Sequence, residues 1–212
     1  MTRTPAGRPR DPAIDAAVLT ATLEVLREKG YAGFALETVA ARAGTTKAAI
    51  RRRWPVRQEL VIDALASVLV TPPVPDDNCT RCDLTQSVQL LAEALHDRLP
   101  PGVLAPLIAD CTREPDLHRR LVDTLMQPTR AAAMISVRRA VDRGDLRPEY
   151  DPELLVDLLA SVVYQKALFG DAPIDQESAG PLVDLLLRGV ATDFDRLVRI
   201  SRQPADQRHR HV

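Results

Sequence analysis

Arg51, Arg52 and Arg53 stand in a row in "AGTTKAAIRRRWP", residues 43–55, just before the chain's single tryptophan, Trp54. Three adjacent guanidinium groups repel one another and cannot all be buried. A guanidinium can give two parallel hydrogen bonds to guanine O6 and N7 in a DNA major groove, or bind a phosphate. On a helix over about 47–53, Thr45, Lys47, Ala48, Arg51 and Arg52 share one face. Ala48 and Ala49 keep its first turn slim, so the backbone can approach base edges. Thr45, Thr46 and the amides at the helix start can hold a phosphate. Trp54 is expected to plug a small core, with an indole N–H that could reach a phosphate if it lies at the surface. Arg57 opens the next helix as a further phosphate contact. The competing reading is a surface helix whose arginines are merely solvated.

The elements around this stretch favour the DNA reading. A helix over about 36–43 ends at Gly44, and Thr46 can cap the next one. Two short helices joined by a glycine-containing turn form a helix-turn-helix. Val39, Ala40 and Ile50 are its inward contacts, and Ala40 and Ala43 are small enough for the helices to cross closely. Ahead of it, Asp11-Pro12 reads as a cap and first helical residue. Ile14, Val18, Ala21 and Val25 then recur at helical spacing, and Gly30 ends that helix. The first ten residues are a loose basic arm in which Arg8 and Arg10 could enter a narrow minor groove. Residues 1–60 hold 11 Lys and Arg against 6 Asp and Glu, and the remainder holds 17 against 23. A basic head on an acidic body calls for an anionic partner at the head only.

The chain divides into a basic arm (1–10), a helix-turn-helix domain (11–56), a connecting helix (57–71), a larger helical domain (72–200) and a disordered tail (201–212). The proline- and Asp-rich "TPPVPDDN" marks the main boundary. Beyond it, helices are expected at about 83–98, 102–113, 116–143, 151–169 and 176–199, with Pro128 breaking or kinking the third. The fold class is all-α. The last two helices are apolar on more than one face, which a second subunit could cover. Leu158, Val162, Leu186, Val190 and Phe194 are the residues expected at that contact.

Cys79-Thr80-Arg81-Cys82 leaves three readings open: inert cysteines, a redox pair, or half of a metal site. No second cysteine pair stands at zinc spacing, so no metal or other cofactor is expected. There is no Gly-rich phosphate loop, no G-x-S-x-G and no H-E-x-x-H, so an enzyme is not expected. No apolar run is long enough for a membrane span, and the basic start has no apolar segment behind it. With an odd cysteine count, this points to a cytoplasmic protein.

The run "FALETVAARAGTTKAAIRRRWPVRQELVIDAL", residues 34–65, resembles the TetR family of bacterial transcriptional regulators. The likeness continues more loosely through "EPDLHRRLVDTLMQPTRAAAMISVRRAVDRGDLRPEYDPELLVDLL". Four departures stand out. Ala35 and Val56 occupy positions where that family usually has hydroxyl caps, and three residues after Ala35 stands Thr38 rather than Glu, so no capping box forms. Arg51 stands where the family commonly has tyrosine, so operator preferences do not transfer.

The resemblance implies a one-component regulator, typically a repressor, that binds a palindromic operator on double-stranded DNA as a homodimer. It implies that a small-molecule effector releases the DNA, and that the last two helices double into a four-helix interface. An effector pocket would lie among the helices of the larger domain, with Leu91, Leu95, Met126, Met134, Val137 and Tyr164 as lining. A lining so apolar suits a hydrophobic or aromatic ligand. The reading from another class is a helical small-molecule carrier or protein-interaction bundle without specific DNA binding.

Overall fold

Proline at residue 12 opens the first helix of the computed structural model, which describes residues 12–69, 73–170 and 174–208. The expected Asp11 cap and the arm with Arg8 and Arg10 lie outside the described residues. Helix α1 (Pro12–Lys29) ends at Gly30, whose φ of 66° is the left-handed conformation a helix stop requires. It packs against α4 (Arg57–Val68) and α2 (Leu36–Arg42), with α3 (Lys47–Arg53) crossing α2. Neither α2 nor α4 receives a side-chain cap, because Ala35 and Val56 have no oxygen to offer.

Then come α5 (Thr80–Glu93), a wider π-type turn (Ala94–Arg98), α6 (Leu104–Cys111) and α7 (Pro115–Leu121). A second π-type turn (Val122–Met126) leads into α8 (Gln127–Asp142), followed by α9 (Pro152–Phe169), α10 (Gln176–Val190), α11 (Phe194–Ser201) and a short α12 (Ala205–Arg208). Among the described residues there is no strand, only an isolated bridge between Leu146 and Ala191. The architecture is all-α.

Three expected spans are corrected. Helix α5 starts earlier than residue 83, because Cys79 caps it and its sulfur accepts the Cys82 N–H at 3.2 Å. The helix expected over 116–143 runs without a break from Pro115 to Asp142, widened into the π-type turn at Val122–Met126 just ahead of Pro128. The helix expected over 176–199 breaks at Ala191–Asp193. There Asp193 caps α11 by accepting the Arg196 N–H at 2.8 Å, while Thr192 donates to the Asp145 carbonyl at 3.0 Å. The tail expected to be disordered is held as far as Arg208. Its carbonyl accepts from Asn78 at 3.0 Å, and its guanidinium donates to the Gln203 carbonyl at 2.9 Å.

The apolar interior forms two cores, and they do not follow the expected boundary at residue 72. The first joins α1–α4 to Leu107 and Cys111 of α6, Leu121 of α7 and Leu125 of the second π-type turn. The second joins α5 to α8–α11, with Val88, Val137, Leu155, Val163, Val183 and Leu187 at its centre. Helices α6 and α7 thus follow α5 in sequence but pack with the head. Leu95 touches both cores and marks the seam between them.

Candidate nucleic-acid interface and effector cavity

The turn between α2 and α3 explains how α3 is presented. Gly44 has a φ of 61°, and the Thr45 N–H reaches back to the Ala40 carbonyl at 3.0 Å, closing α2. Thr46 then caps α3, its Oγ1 accepting the Ala49 N–H at 3.1 Å. Ile50 of α3 and Val39 of α2 are fully buried against each other's helices. That fixes the opposite face of α3 outward. Ala48, Arg51 and Arg52 are exposed there, with Thr46 beside them and Thr45 half-buried.

Charge pairing sorts the basic residues of the head. Arg42 binds Glu28, with Nη1 to Oε1 at 2.8 Å. Lys47 is paired with Glu37, whose carboxyl is held below its ordinary range by that ammonium, with Arg51 adding to the effect. Arg53 turns back to Asp15 on α1. Arg51 and Arg52 make no hydrogen bond or ion pair with any described residue. They are the two guanidinium groups of the triplet left available, and Lys47 stands beside them half-buried.

Two of the expected contact residues are engaged within the protein. Trp54 is only 7% exposed, and its indole N–H donates to Asp63 Oδ2 at 2.8 Å, so it has no proton to offer a phosphate. Arg57 is held at the junction of head and body. Its guanidinium lies 4.4 Å from the centre of the Tyr31 ring and 3.7 Å from Asp110. Burial lifts the Tyr31 hydroxyl to about 12, so it stays protonated and donates to Asp110 Oδ2 at 2.8 Å.

Sequence reasoning missed this polar junction. Asp63 takes the Trp54 indole and also both bonds of Arg120 from α7, at 2.8 and 3.0 Å. One carboxylate therefore ties the end of α3 to the larger domain. The available signal was that a buried indole N–H needs an acceptor; nothing in the spacing singled out Asp63 or Arg120.

The cavities divide the expected lining. One, of about 450 Å³, lies on the seam between the two cores. Leu95, Leu99 and Leu104 form one wall, Val163 and Ile174 another, and His96 and Lys166 stand at exposed positions on its lining. Of the expected residues only Leu95 lines it. Leu91, Met126 and Tyr164 meet instead at a smaller cavity of about 80 Å³, next to the Arg130–Asp157 ion pair. Met134 and Val137 line neither and are interior residues of the second core. Helix spacing marks a residue as inward-facing but cannot tell a cavity wall from filled interior.

At the expected subunit contact, Leu158 is 43% exposed, while Val162, Leu186, Val190 and Phe194 are half-buried against the second core. Phe194 also lies beneath Arg188, 4.4 Å from its guanidinium. The more exposed apolar side chains of α9 and α10 are Leu154, Phe169 and Leu185, the last at 71%.

Comparison with known proteins bears on both halves. Residues 18–64 match the family described as bacterial regulatory proteins, tetR family, and residues 74–186 match the tetracyclin repressor-like C-terminal domain. The chain is 32% identical over 177 residues to the DNA-binding transcriptional repressor TetR of Mycobacteroides abscessus, covering 81% of this chain and 90% of that one. It is 27% identical over 185 residues to the HTH-type transcriptional regulator YdeS of Bacillus subtilis, covering 87% and 93%. Among solved structures, the TetR family transcription regulator SCO0332 is 30% identical with a TM-score of 0.64, over 84% of this chain and 98% of that one. Helix-turn-helix head and helical body are thus both matched, and the chain belongs to the TetR family of transcriptional regulators, a family of DNA-binding proteins and not of enzymes.

Proposed function

We propose that the protein is a one-component repressor that binds a palindromic operator as a homodimer and leaves it when a small molecule fills the seam cavity. The observation that carries the DNA half is the pair Arg51 and Arg52. Both are exposed on the outward face of α3, while Lys47, Arg42 and Arg53 nearby are spent on carboxylates. In a major groove, Arg51 and Arg52 would read base edges, Ala48 would allow close approach, and the Thr45 and Thr46 hydroxyls would meet phosphates. Two subunits would place their α3 helices one duplex turn apart or somewhat more, about 34–36 Å at the least. The repressor named among the relatives supports the sign of the regulation.

Pairing through α9 and α10 would cover Leu154, Leu158 and Leu185. The effector would be a hydrophobic or aromatic molecule, sized to a cavity of about 450 Å³ and held mostly by apolar walls. Lys166 and His96 would offer a partner to an anionic group on it. A ligand there would press α6 away from α9. Helix α6 carries Asp110, which holds Tyr31 and faces Arg57, and it adjoins α7, whose Arg120 holds Asp63. Displacement would therefore reach α4 and the end of α3, favouring a state whose two α3 helices no longer match the groove spacing.

Selection of bound sequences from random duplex DNA tests the reading directly. A two-fold symmetric consensus is expected. Failure to enrich any sequence would support the carrier or interaction bundle instead.

A further inference from the structure

The "CTRC" turn at the start of α5 is absorbed neither by DNA binding nor by the effector cavity. Cys79 and Cys82 are joined by a disulfide, and the two residues inside the small ring are the ones that fasten α5 to its neighbours. Thr80 donates to Asp145 at 2.6 Å and accepts from Arg143 at 2.7 Å, which ties it to the corner after α8. Arg81 makes a two-pronged bond to Asp184 of α10, at 2.6 and 3.0 Å, beside Gly180, where a side chain would meet its guanidinium. Asn78, just before the ring, has a φ of 50° and holds the Arg208 carbonyl of the tail. Opening the ring would loosen all three fastenings together.

We propose that Cys79 and Cys82 are a reversible thiol–disulfide site, oxidised by hydroperoxides and reduced by dithiols, whose state sets how firmly α5 holds α10 and the tail. The two sulfurs differ in a way that orders the steps. Cys79 is 1% exposed and Cys82 is half-buried, so Cys82 meets the reagent. Its thiolate attacks the outer oxygen of a hydroperoxide ROOH. The O–O bond breaks, ROH leaves after taking a proton, and Cys82 becomes the sulfenic acid. The Cys79 thiolate then attacks that sulfur, forming the S–S bond and releasing the hydroxyl as water. Sulfur has lost two electrons and the peroxide has gained them.

Reduction runs through the same exposed sulfur. A dithiol's thiolate attacks Cys82, and Cys79 leaves as a thiolate. The amide of Cys82, 3.2 Å from the Cys79 sulfur at the head of a fourteen-residue helix, stabilises that leaving group. The dithiol's second sulfur then displaces Cys82, carrying the electrons' former owner away as a disulfide. The third cysteine, Cys111, is buried in the other core and takes no part in this exchange.

Helix α10 also carries Leu185, on the face assigned above to subunit pairing. An effect on pairing would rest on that reading; the test here does not. The full chain carrying Cys111→Ser is treated with hydrogen peroxide or with dithiothreitol, its thiols are counted by alkylation under denaturing conditions, and backbone hydrogen exchange is followed by mass spectrometry. Two alkylated thiols are expected after dithiothreitol and none after peroxide. Exchange in residues 181–187 and 203–208 is expected to be about fivefold or more faster in the reduced form. Cys79→Ser, which keeps an oxygen to cap α5, should match the reduced form under both treatments. Two free thiols after peroxide, or equal exchange in the two forms, would overturn the proposal.

Discussion

At the scale of single residues, what decides function is which cations are already spoken for. Arg53 and Lys47 sit within the same short helix as Arg51 and Arg52, yet carboxylates on α1 and α2 claim them. Arg51→Ala is therefore expected to cost about 1–3 kcal/mol of operator affinity and to relax choice at one base position in each half-site. Competition binding with single-base operator variants reads this; an equal loss on every sequence would reassign Arg51 to phosphate. Arg53→Ala should leave sequence choice as it is and lower stability, because its partner is Asp15. The arginine triplet was legible as a candidate DNA contact from its residue types and the glycine turn before it. Its division into free and paired members was not, since Glu37 and Asp15 lie ten or more positions away and only folding brings them close.

Element boundaries follow from caps more than from apolar spacing. The side chains of Thr46, Asp175 and Asp193 each accept a backbone N–H at the helix start they precede, at 3.1, 2.8 and 2.8 Å, whereas that of Ala35 accepts none. Ala35→Ser is expected to add about 1 kcal/mol to the stability of the head, read as a higher midpoint in urea unfolding, with operator choice unchanged. No gain would mean that the extended backbone at residue 35 cannot aim a hydroxyl at α2. The same chemistry explains why the helix expected over 176–199 is two helices. Apolar residues continue at helical spacing from Leu187 through Val190, Phe194 and Leu197, so periodicity ran on. Asp193 and the pairing of residues 145–147 with 190–192 ended the run. Its competing hydrogen bonds come from segments distant in sequence, which a periodic pattern does not record.

At the scale of the whole molecule, the proposed effector cavity lies on the seam between the two cores. On the head side of that seam, Asp63 of α4 joins Trp54 to Arg120 of α7. Because Trp54 is the chain's single tryptophan, its emission reports on that bridge. A compound that raises the melting temperature by filling the cavity is expected to shift Trp54 emission. Asp63→Asn, which keeps an acceptor for the indole but loses the ion pair, should shrink that response while the compound still binds. An undiminished response would route the coupling through Asp110 instead. Pairing is tested separately: Leu185→Lys adds a charge at an exposed position and is expected to halve the mass seen in sedimentation equilibrium without unfolding the chain. A mass that does not change would place the contact elsewhere. Fold class and head were readable from sequence because they depend on local turns and spacing. The split into two cores was not, because it depends on which helix crosses to which side. The chain passes from one core to the other three times, after α4, before α6 and before α8. No single junction can then transplant this body onto a different head. A chimera spliced once at residue 70 would strand α6 and α7 beside a stranger's surface, and it is expected to accumulate as insoluble material when expressed.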